Sequence, residues 1–168
     1  LAPANQYKKY IFATSSKAGA AKGAVPRQFV VIVCSTTGNG DPPDNCDRFW
    51  RYLKRRTHPP DLLQSVDFAV LGLGDSNYDK FCHMGKGIDK RMNALGAHCL
   101  HNLGCADDGV GLSIVIEPWI SALFPALDKA YKRALEIETA SSSALQYANS
   151  RLTEAQAPTT TKPETPDK

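Results

Sequence analysis

Three strand-like runs along the chain each end in a loop of glycine and small polar residues, and a helical pattern follows each loop. The runs are FVVIVCS at residues 29–35, FAVLGL at residues 68–73 and AHCLHNL at residues 97–103. The first two are continuous and apolar, which is typical of strands that are covered on both faces. Strands that alternate with helices predict a parallel, doubly wound sheet of the α/β class.

The helical patterns lie at residues 45–56, 85–95 and 112 to about 138. In the first of them Phe49, Trp50 and Leu53 form an apolar stripe, which indicates one face packed on the sheet. The second is followed by Gly96, a residue common just past the last turn of a helix. The first two helices therefore supply the crossover connections that three parallel strands require, and the third follows the last strand.

Three loops follow the strands: STTGNGDPPDN at residues 35–45, GDSNYDKF at 74–81 and GCADDG at 104–109. In open parallel sheets, ligands bind beyond the carboxyl ends of the strands, which is where all three loops lie. Gly38 and Gly40 allow positive φ and a close approach of the backbone to a ligand, although simple turn formation would use them equally well. The pattern predicts one ligand site shared by the three loops.

Composition excludes several classes of function. The chain has 42% hydrophobic and 22% charged residues, and no apolar run approaches the roughly 20 residues that span a bilayer. Its five cysteines contain no CxxC pair, which favours a reducing compartment and hence the cytoplasm, with neither a disulfide framework nor a zinc site. The net charge of +3 is small and dispersed, so we expect no nucleic acid and no membrane as a partner.

The two ends of the chain have a different composition from the centre. Residues 11–27, IFATSSKAGAAKGAVPR, could hold a phosphate loop in ATSSKAG, but too few residues remain for a crossover before the strand at 29–35. We therefore predict a flexible segment over residues 1–28. From residue 139 the chain is rich in Ser, Thr, Pro and small residues, which predicts a disordered linker over residues 139–168.

The segments FVVIVCSTTGNGDPPDN, AVLGLGDSNYDKFCHMGKGIDKRMNALGA and LGCADDGVGL, in this order, resemble the FMN domain of the diflavin reductases. The resemblance implies a flavodoxin-like fold, FMN as cofactor, and a parent protein that carries FAD and NADPH in a further domain of the same chain. It also implies a redox acceptor protein, for which we expect methionine synthase and its cobalamin. A haem or iron–sulfur protein as acceptor, or a flavin-free truncated interaction module, are the alternatives.

The resemblance implies a role for several loop residues. Tyr78 matches an aromatic residue that stacks on the flavin ring, the alternative being a half-exposed loop tyrosine. The carbonyl of Gly38 is expected to reorient towards the reduced flavin, and Thr37 stands where many relatives have a second stacking aromatic. Asp108 matches an acid near the flavin, whereas we interpret Asp107 as an ordinary loop or capping residue. The predicted cofactor-binding residues are Ser35, Thr36, Thr37, Gly38, Asn39, Gly40, Leu73, Gly74, Asp75, Ser76, Asn77, Tyr78, Phe81, Cys82 and Asp108.

A complete flavodoxin-like sheet has five strands in the order 2-1-3-4-5. The three strand-like runs match strands 3, 4 and 5, so residues 29–138 are expected to form a partial FMN domain that lacks its first two strands and their phosphate loop. The strand at residues 29–35 would then present an apolar edge. We expect the linker to lead to the absent FAD/NADPH domain, and the chain alone not to be catalytically competent.

Overall fold

The computed structural model describes residues 27–155, which form three strands and three helices. All strands are parallel, in the order β1-β2-β3, which confirms the predicted α/β architecture. No helix in this part of the chain has the length and apolar character needed to cross a bilayer. The elements are β1 (Gln28–Ser35), α1 (Asp44–Leu53), β2 (Val66–Gly74), α2 (His83–Ala94), β3 (His98–Asp107) and α3 (Ser113–Ala155).

The central strand β2 lies between the other two and carries the core of both layers. Its side chains alternate between the two faces, as the pleat of a strand requires. Phe68 and Val70 enter the core beneath α1 and α2, together with Ile32, Phe49 and Ile88. Because β2 is buried on both faces, its sequence has no polar alternation between Phe68 and the end of the strand.

The opposite face of the sheet packs against α3. Ala69 and Leu71 of β2 lie against Trp119 and Leu123 of the helix. The indole N–H of Trp119 donates a 2.8 Å hydrogen bond to the carbonyl of Asn102, so its polar edge is satisfied although the ring is buried. This bond fixes the first part of α3 over β3.

Within the described residues, β1 pairs only with β2 and forms one edge of the sheet. Val31 and Val33, which point to the α3 face, are 43% and 55% exposed. Ile120 and Phe124 of α3 are exposed as well. The apolar edge that the sequence predicted is therefore present in the described residues.

Several boundaries differ from the predicted ones. β3 continues to Asp107, four residues beyond the predicted end, because its backbone stays in register with β2 up to Gly74. α1 ends at Leu53 instead of residue 56. There Arg91 donates to the carbonyls of Leu53 and Arg55, at 2.5 Å and 2.7 Å, and so satisfies the end of the helix from outside.

The predicted disordered linker also differs in part, because α3 continues through residue 139 to Ala155. The segment SSSALQYANSRLTEA contains Ala, Leu, Gln and Glu, which are good helix formers, and has neither Gly nor Pro. Residues 139–144 are almost entirely exposed, so this extension projects beyond the sheet instead of packing on it. Residues 156–168 of the predicted linker and residues 1–26 of the predicted flexible segment lie outside the described residues.

Candidate functional site

The first loop, residues 36–43, is a closed turn at the carboxyl end of β1. The amide of Thr37 donates to the carbonyl of Asp41 at 2.9 Å, and the amide of Asp41 donates back to the carbonyl of Thr37 at 2.8 Å. Between them Gly38 and Gly40 have φ of +49° and +100°. L-residues with a side chain rarely adopt such angles, so the two glycines are what allow the turn to close.

The second loop, residues 75–82, is joined to the third, residues 108–112, through one carboxylate. Asp107 accepts hydrogen bonds from the amides of Ser76, at 2.9 Å, and Gly109, at 3.0 Å. These bonds, led by those from Ser76, hold the pKa of Asp107 below its usual value. Asp107 therefore connects two loops, a role that its position before a helix did not reveal.

Further contacts fix the loops against each other and against α2. The hydroxyl of Thr36 accepts a 3.2 Å hydrogen bond from the amide of Met84, in the first turn of α2. A Cβ atom on Gly40 would lie 3.3 Å from Lys80 and 3.2 Å from His83, so the first and second loops are in direct contact. The amide of Asp108 donates to the carbonyl of Gly74 at 2.8 Å. The three loops thus form one connected rim.

A cleft of about 540 Å³ opens between these loops, beyond the carboxyl ends of β1 and β2. This volume lies within the range of small-molecule sites, roughly 300–1,000 Å³. Tyr78, at the cleft, is 67% exposed, which is a high fraction for an aromatic side chain. The lining consists of Ser35, Thr36, Gly38, Leu73, Gly74, Asp75, Tyr78, Lys80, Asp108 and Leu112.

Eight of the predicted cofactor-binding residues line the cleft: Ser35, Thr36, Gly38, Leu73, Gly74, Asp75, Tyr78 and Asp108. Two lining residues, Lys80 and Leu112, were not predicted. Lys80 belongs to the second loop, and Leu112 is the last residue of the third loop. Proximity in sequence to the other loop residues was the signal that could have identified both.

The other predicted residues lie around the cleft but do not line it: Thr37, Asn39, Gly40, Ser76, Asn77, Phe81 and Cys82. The hydroxyl of Thr37 donates to the carbonyl of Asp41 at 3.0 Å and closes the first turn. Asn77 donates to the carboxylate of Asp75 through its amide and its side chain, both at 2.8 Å. These residues shape the loops, whereas the neighbouring residues form the surface of the cleft.

Cys82 is fully buried at the start of α2, in a left-handed conformation with φ of +51°. Its sulfur lies 3.6 Å from the carbonyl oxygen of Ala106, and burial raises the pKa of the thiol to about 12. Phe81 is half-buried, and the ammonium of Lys86 lies 5.0 Å from its ring centroid. Both residues pack beneath the second loop and support its shape.

The cleft residues fit a flavin ring. A flat ring with apolar faces and a polar edge needs an aromatic or apolar surface together with backbone groups that approach closely. Tyr78, Leu73 and Leu112 supply the aromatic and apolar surface. Gly38 and Gly74 have no side chain that would block a close approach of their backbone to the ring. Thr37 does not line the cleft, so a second stacking side chain does not come from that position.

A second cavity, of about 480 Å³, lies at the opposite end of the sheet, between the amino ends of the strands and α3. Its floor is the buried carboxylate of Asp67, which Arg27 contacts through two hydrogen bonds of 2.5 Å and 2.6 Å. His98 Nδ1 lies 2.9 Å from the same carboxylate. This cluster closes the amino end of the sheet and is remote from the three loops.

Comparison with known proteins agrees with this geometry. The flavodoxin family profile, described as Flavodoxin, matches residues 15–119. The match begins upstream of residue 29, where the resemblance in the sequence began. A mutant of flavodoxin from Pseudomonas aeruginosa has a similar structure, with a TM-score of 0.50 and 27% identity over 60% of this chain and 67% of that one.

Longer relatives are similar to more than half of this chain. Methionine synthase reductase from Bos taurus is 52% identical over 102 residues, which are 61% of this chain and 15% of that protein. NADPH-dependent diflavin oxidoreductase 1 from Danio rerio is 50% identical over 98 residues, 57% of this chain and 16% of that protein. The chain therefore spans about 15% of the length of the curated relatives that it matches.

Proposed function

Because this chain belongs to the flavodoxin family, whose domains bind FMN, we propose that its loop cleft holds the ring of FMN in an NADPH-dependent diflavin oxidoreductase. The observation that carries this proposal is the exposed Tyr78 beside a cleft at the carboxyl ends of parallel strands. When bound, FMN supplies electron transfer in single-electron steps. The protein positions the ring and tunes its potential.

Six of the lining residues have a role that follows from their chemistry. Tyr78 stacks on one face of the ring, and Leu73 and Leu112 exclude water from its edge. Gly38 brings backbone polar groups close to the ring because it has no side chain. Lys80 places a cation at the cleft beside the ring, and the carboxylate of Asp108 stays exposed at the rim, where an acceptor protein can approach.

For the parent protein we propose oxidation of NADPH and reduction of an acceptor protein in the cytoplasm, with FAD and NADPH bound outside this chain. The similarity to methionine synthase reductases favours methionine synthase, with its cobalamin, as the acceptor. The nearly equal similarity to NADPH-dependent diflavin oxidoreductase 1 supports a second candidate, a haem or iron–sulfur protein. The test is to offer both acceptors to the full-length parent, where preferential reduction of the haem protein contradicts the first choice.

Flavin binding is tested by titrating the purified chain with FMN and following the quenching of flavin fluorescence. Loss of stacking in Tyr78→Ala should weaken binding about fivefold, since a stacked pair contributes about 1 kcal/mol, and Tyr78→Phe should retain affinity. Tyr131→Ala, which removes an exposed tyrosine of α3, is the matched control and should bind as the unmodified chain does.

A parallel titration with riboflavin separates the ring from the phosphate. Equal affinities for riboflavin and FMN would mean that the chain does not hold the phosphate, as the predicted lack of a phosphate loop requires. Stoichiometric, much tighter binding of FMN would contradict that prediction. Absence of quenching by either compound would favour the flavin-free interaction module.

A further inference from the structure

Two buried cysteines lie at the base of the first loop. Cys34 is the next-to-last residue of β1, and Cys46 lies in the first turn of α1. Their sulfur atoms are 3.8 Å apart, and the residues are 4% and 1% exposed. Cys34 belongs to the apolar core, but its position opposite a second thiol gives it chemistry as well.

The geometry is close to that of a disulfide. An S–S bond is about 2.05 Å long, so the two sulfurs must approach by roughly 1.8 Å. The hydrogen bond with Cys46 lowers the pKa of Cys34, whereas the hydrogen bond with Cys34, together with burial, raises the pKa of Cys46. The pair thus combines a thiol that ionises more readily with a neighbour that stays protonated, as stepwise oxidation requires.

We propose that Cys34 and Cys46 are a modification site, a dithiol that hydrogen peroxide converts reversibly into a disulfide. The thiolate of Cys34 attacks one peroxide oxygen, the O–O bond breaks, and the departing hydroxide takes up a proton to become water. The sulfur of Cys46 then displaces hydroxide from the sulfenic acid of Cys34, forms the S–S bond, and its proton completes the second water. Two thiols lose two electrons and two protons, and one peroxide becomes two waters.

The disulfide would join the end of β1 to the start of α1 and staple the loop between them. Thr37 and Asp41, which close the turn in that loop, lie inside the stapled segment, and so does Gly38, which lines the cleft. The staple therefore restrains one wall of the cleft. Formation of the disulfide does not depend on the proposed function, whereas any effect of the disulfide on flavin binding does.

Peptide mapping tests the proposal directly, because trypsin releases both cysteines in one peptide, residues 28–48. The folded chain carrying Cys99→Ser, which removes an exposed thiol, is treated with peroxide, alkylated and digested. We expect the peptide to carry no alkyl group, to be two hydrogens lighter, and to regain two alkylation sites after reduction with dithiothreitol. Alkylation of both cysteines, their conversion to sulfinic acids, or a link to Cys82 or Cys105 instead would overturn the proposal.

Two variants and one dynamic measurement complete the test. In Cys46→Ala, Cys34 should stop at the sulfenic acid, which dimedone traps, whereas Cys82→Ala, at an equally buried cysteine, should keep the cross-link. If Cys46→Ala does not fold, the peptide map of the chain that keeps both cysteines still tests whether the disulfide forms. Amide hydrogen exchange at Thr37 and Asp41 should slow in the oxidised chain, and unchanged exchange would refute the staple.

Discussion

The contact between α2 and β2 gives the sharpest prediction about stability. A Cβ atom on Gly85 of α2 would lie 2.6 Å from the Cα atom and 3.1 Å from the amide nitrogen of Gly72 in β2. Both obstacles are backbone atoms of a buried strand, so they cannot move aside. Gly85→Ala must therefore push the helix away from the sheet.

The magnitude is the difference of two opposing terms. Alanine in a helix interior is about 1 kcal/mol more favourable than glycine, while overpacking a tight contact costs about 1–3 kcal/mol. Because the obstacle is backbone, we expect a cost near the upper limit and a net destabilisation of about 2 kcal/mol. Gly87→Ala in the same helix is the matched control. Its Cβ would meet the rim of the Trp50 ring at 2.9 Å, a half-buried side chain that can turn away.

The assay is urea unfolding followed by far-ultraviolet circular dichroism, with the free energy of unfolding extrapolated to water. Gly85→Ala should unfold at a clearly lower urea concentration than the unsubstituted chain. Gly87→Ala should lie within about 1 kcal/mol of it, since the gain in helix propensity offsets the smaller contact. Equal stability of the two variants, or a less stable Gly87→Ala, would refute the reasoning that backbone contact at Gly72 limits this packing.

Other substitutions test the amino end of the sheet and the loops. Arg27→Ala leaves the buried carboxylate of Asp67 without its main partner, so the free energy of unfolding should fall by about 3 kcal/mol, whereas a drop below about 1 kcal/mol would contradict this role. Because the pKa of Asp107 is depressed in the folded chain, its carboxylate stabilises the fold at pH values above the usual carboxyl pKa near 3.8. This stabilisation is lost as the pH falls through the lower pKa of the folded state. Urea midpoints at pH 7 and pH 3 should therefore differ more for the unsubstituted chain than for Asp107→Asn, and identical differences would rule this out. Gly40→Ala, at φ of +100°, should destabilise the fold by about 2–3 kcal/mol. Gly38→Ala, at φ of +49° with room for a Cβ, should destabilise it by about 1 kcal/mol. Thermal unfolding compares the two variants, and a less stable Gly38→Ala would contradict the turn geometry.

The sequence predicted the order of elements because strand and helix leave different periods in the chain. The apolar runs gave β1 and β2 to within two residues, because both strands are apolar along their length. Cover on both faces was also predicted; it holds for β2, whereas one face of β1 is exposed at Val31 and Val33. The end of β3 was missed because Gly104 and Ala106 belong equally well to a loop or a strand. These residues form a strand because they pair with Leu71 and Leu73 of β2, which lie more than thirty residues earlier in the sequence.

The candidate site was predicted at the level of loops and only partly at the level of residues. Tyr78 and Asp108 line the cleft as expected, because parallel strands carry their loops to one edge of the sheet. Cys82 was placed there too, but a left-handed turn at that residue directs it into the core. The direction of a loop side chain depends on φ values that apolar periodicity does not encode.

The sequence by itself therefore determined the class of fold, the edge of the sheet at which the candidate cleft lies, and the family, since all three depend on local patterns and their order. Only the tertiary structure decided that Asp107 joins two loops, that Cys34 faces Cys46, and that Gly85 touches Gly72. Each of these is a contact of a few ångströms between groups separated along the chain. Such contacts are set when helices dock on the sheet, and that docking depends on the packing of the whole core.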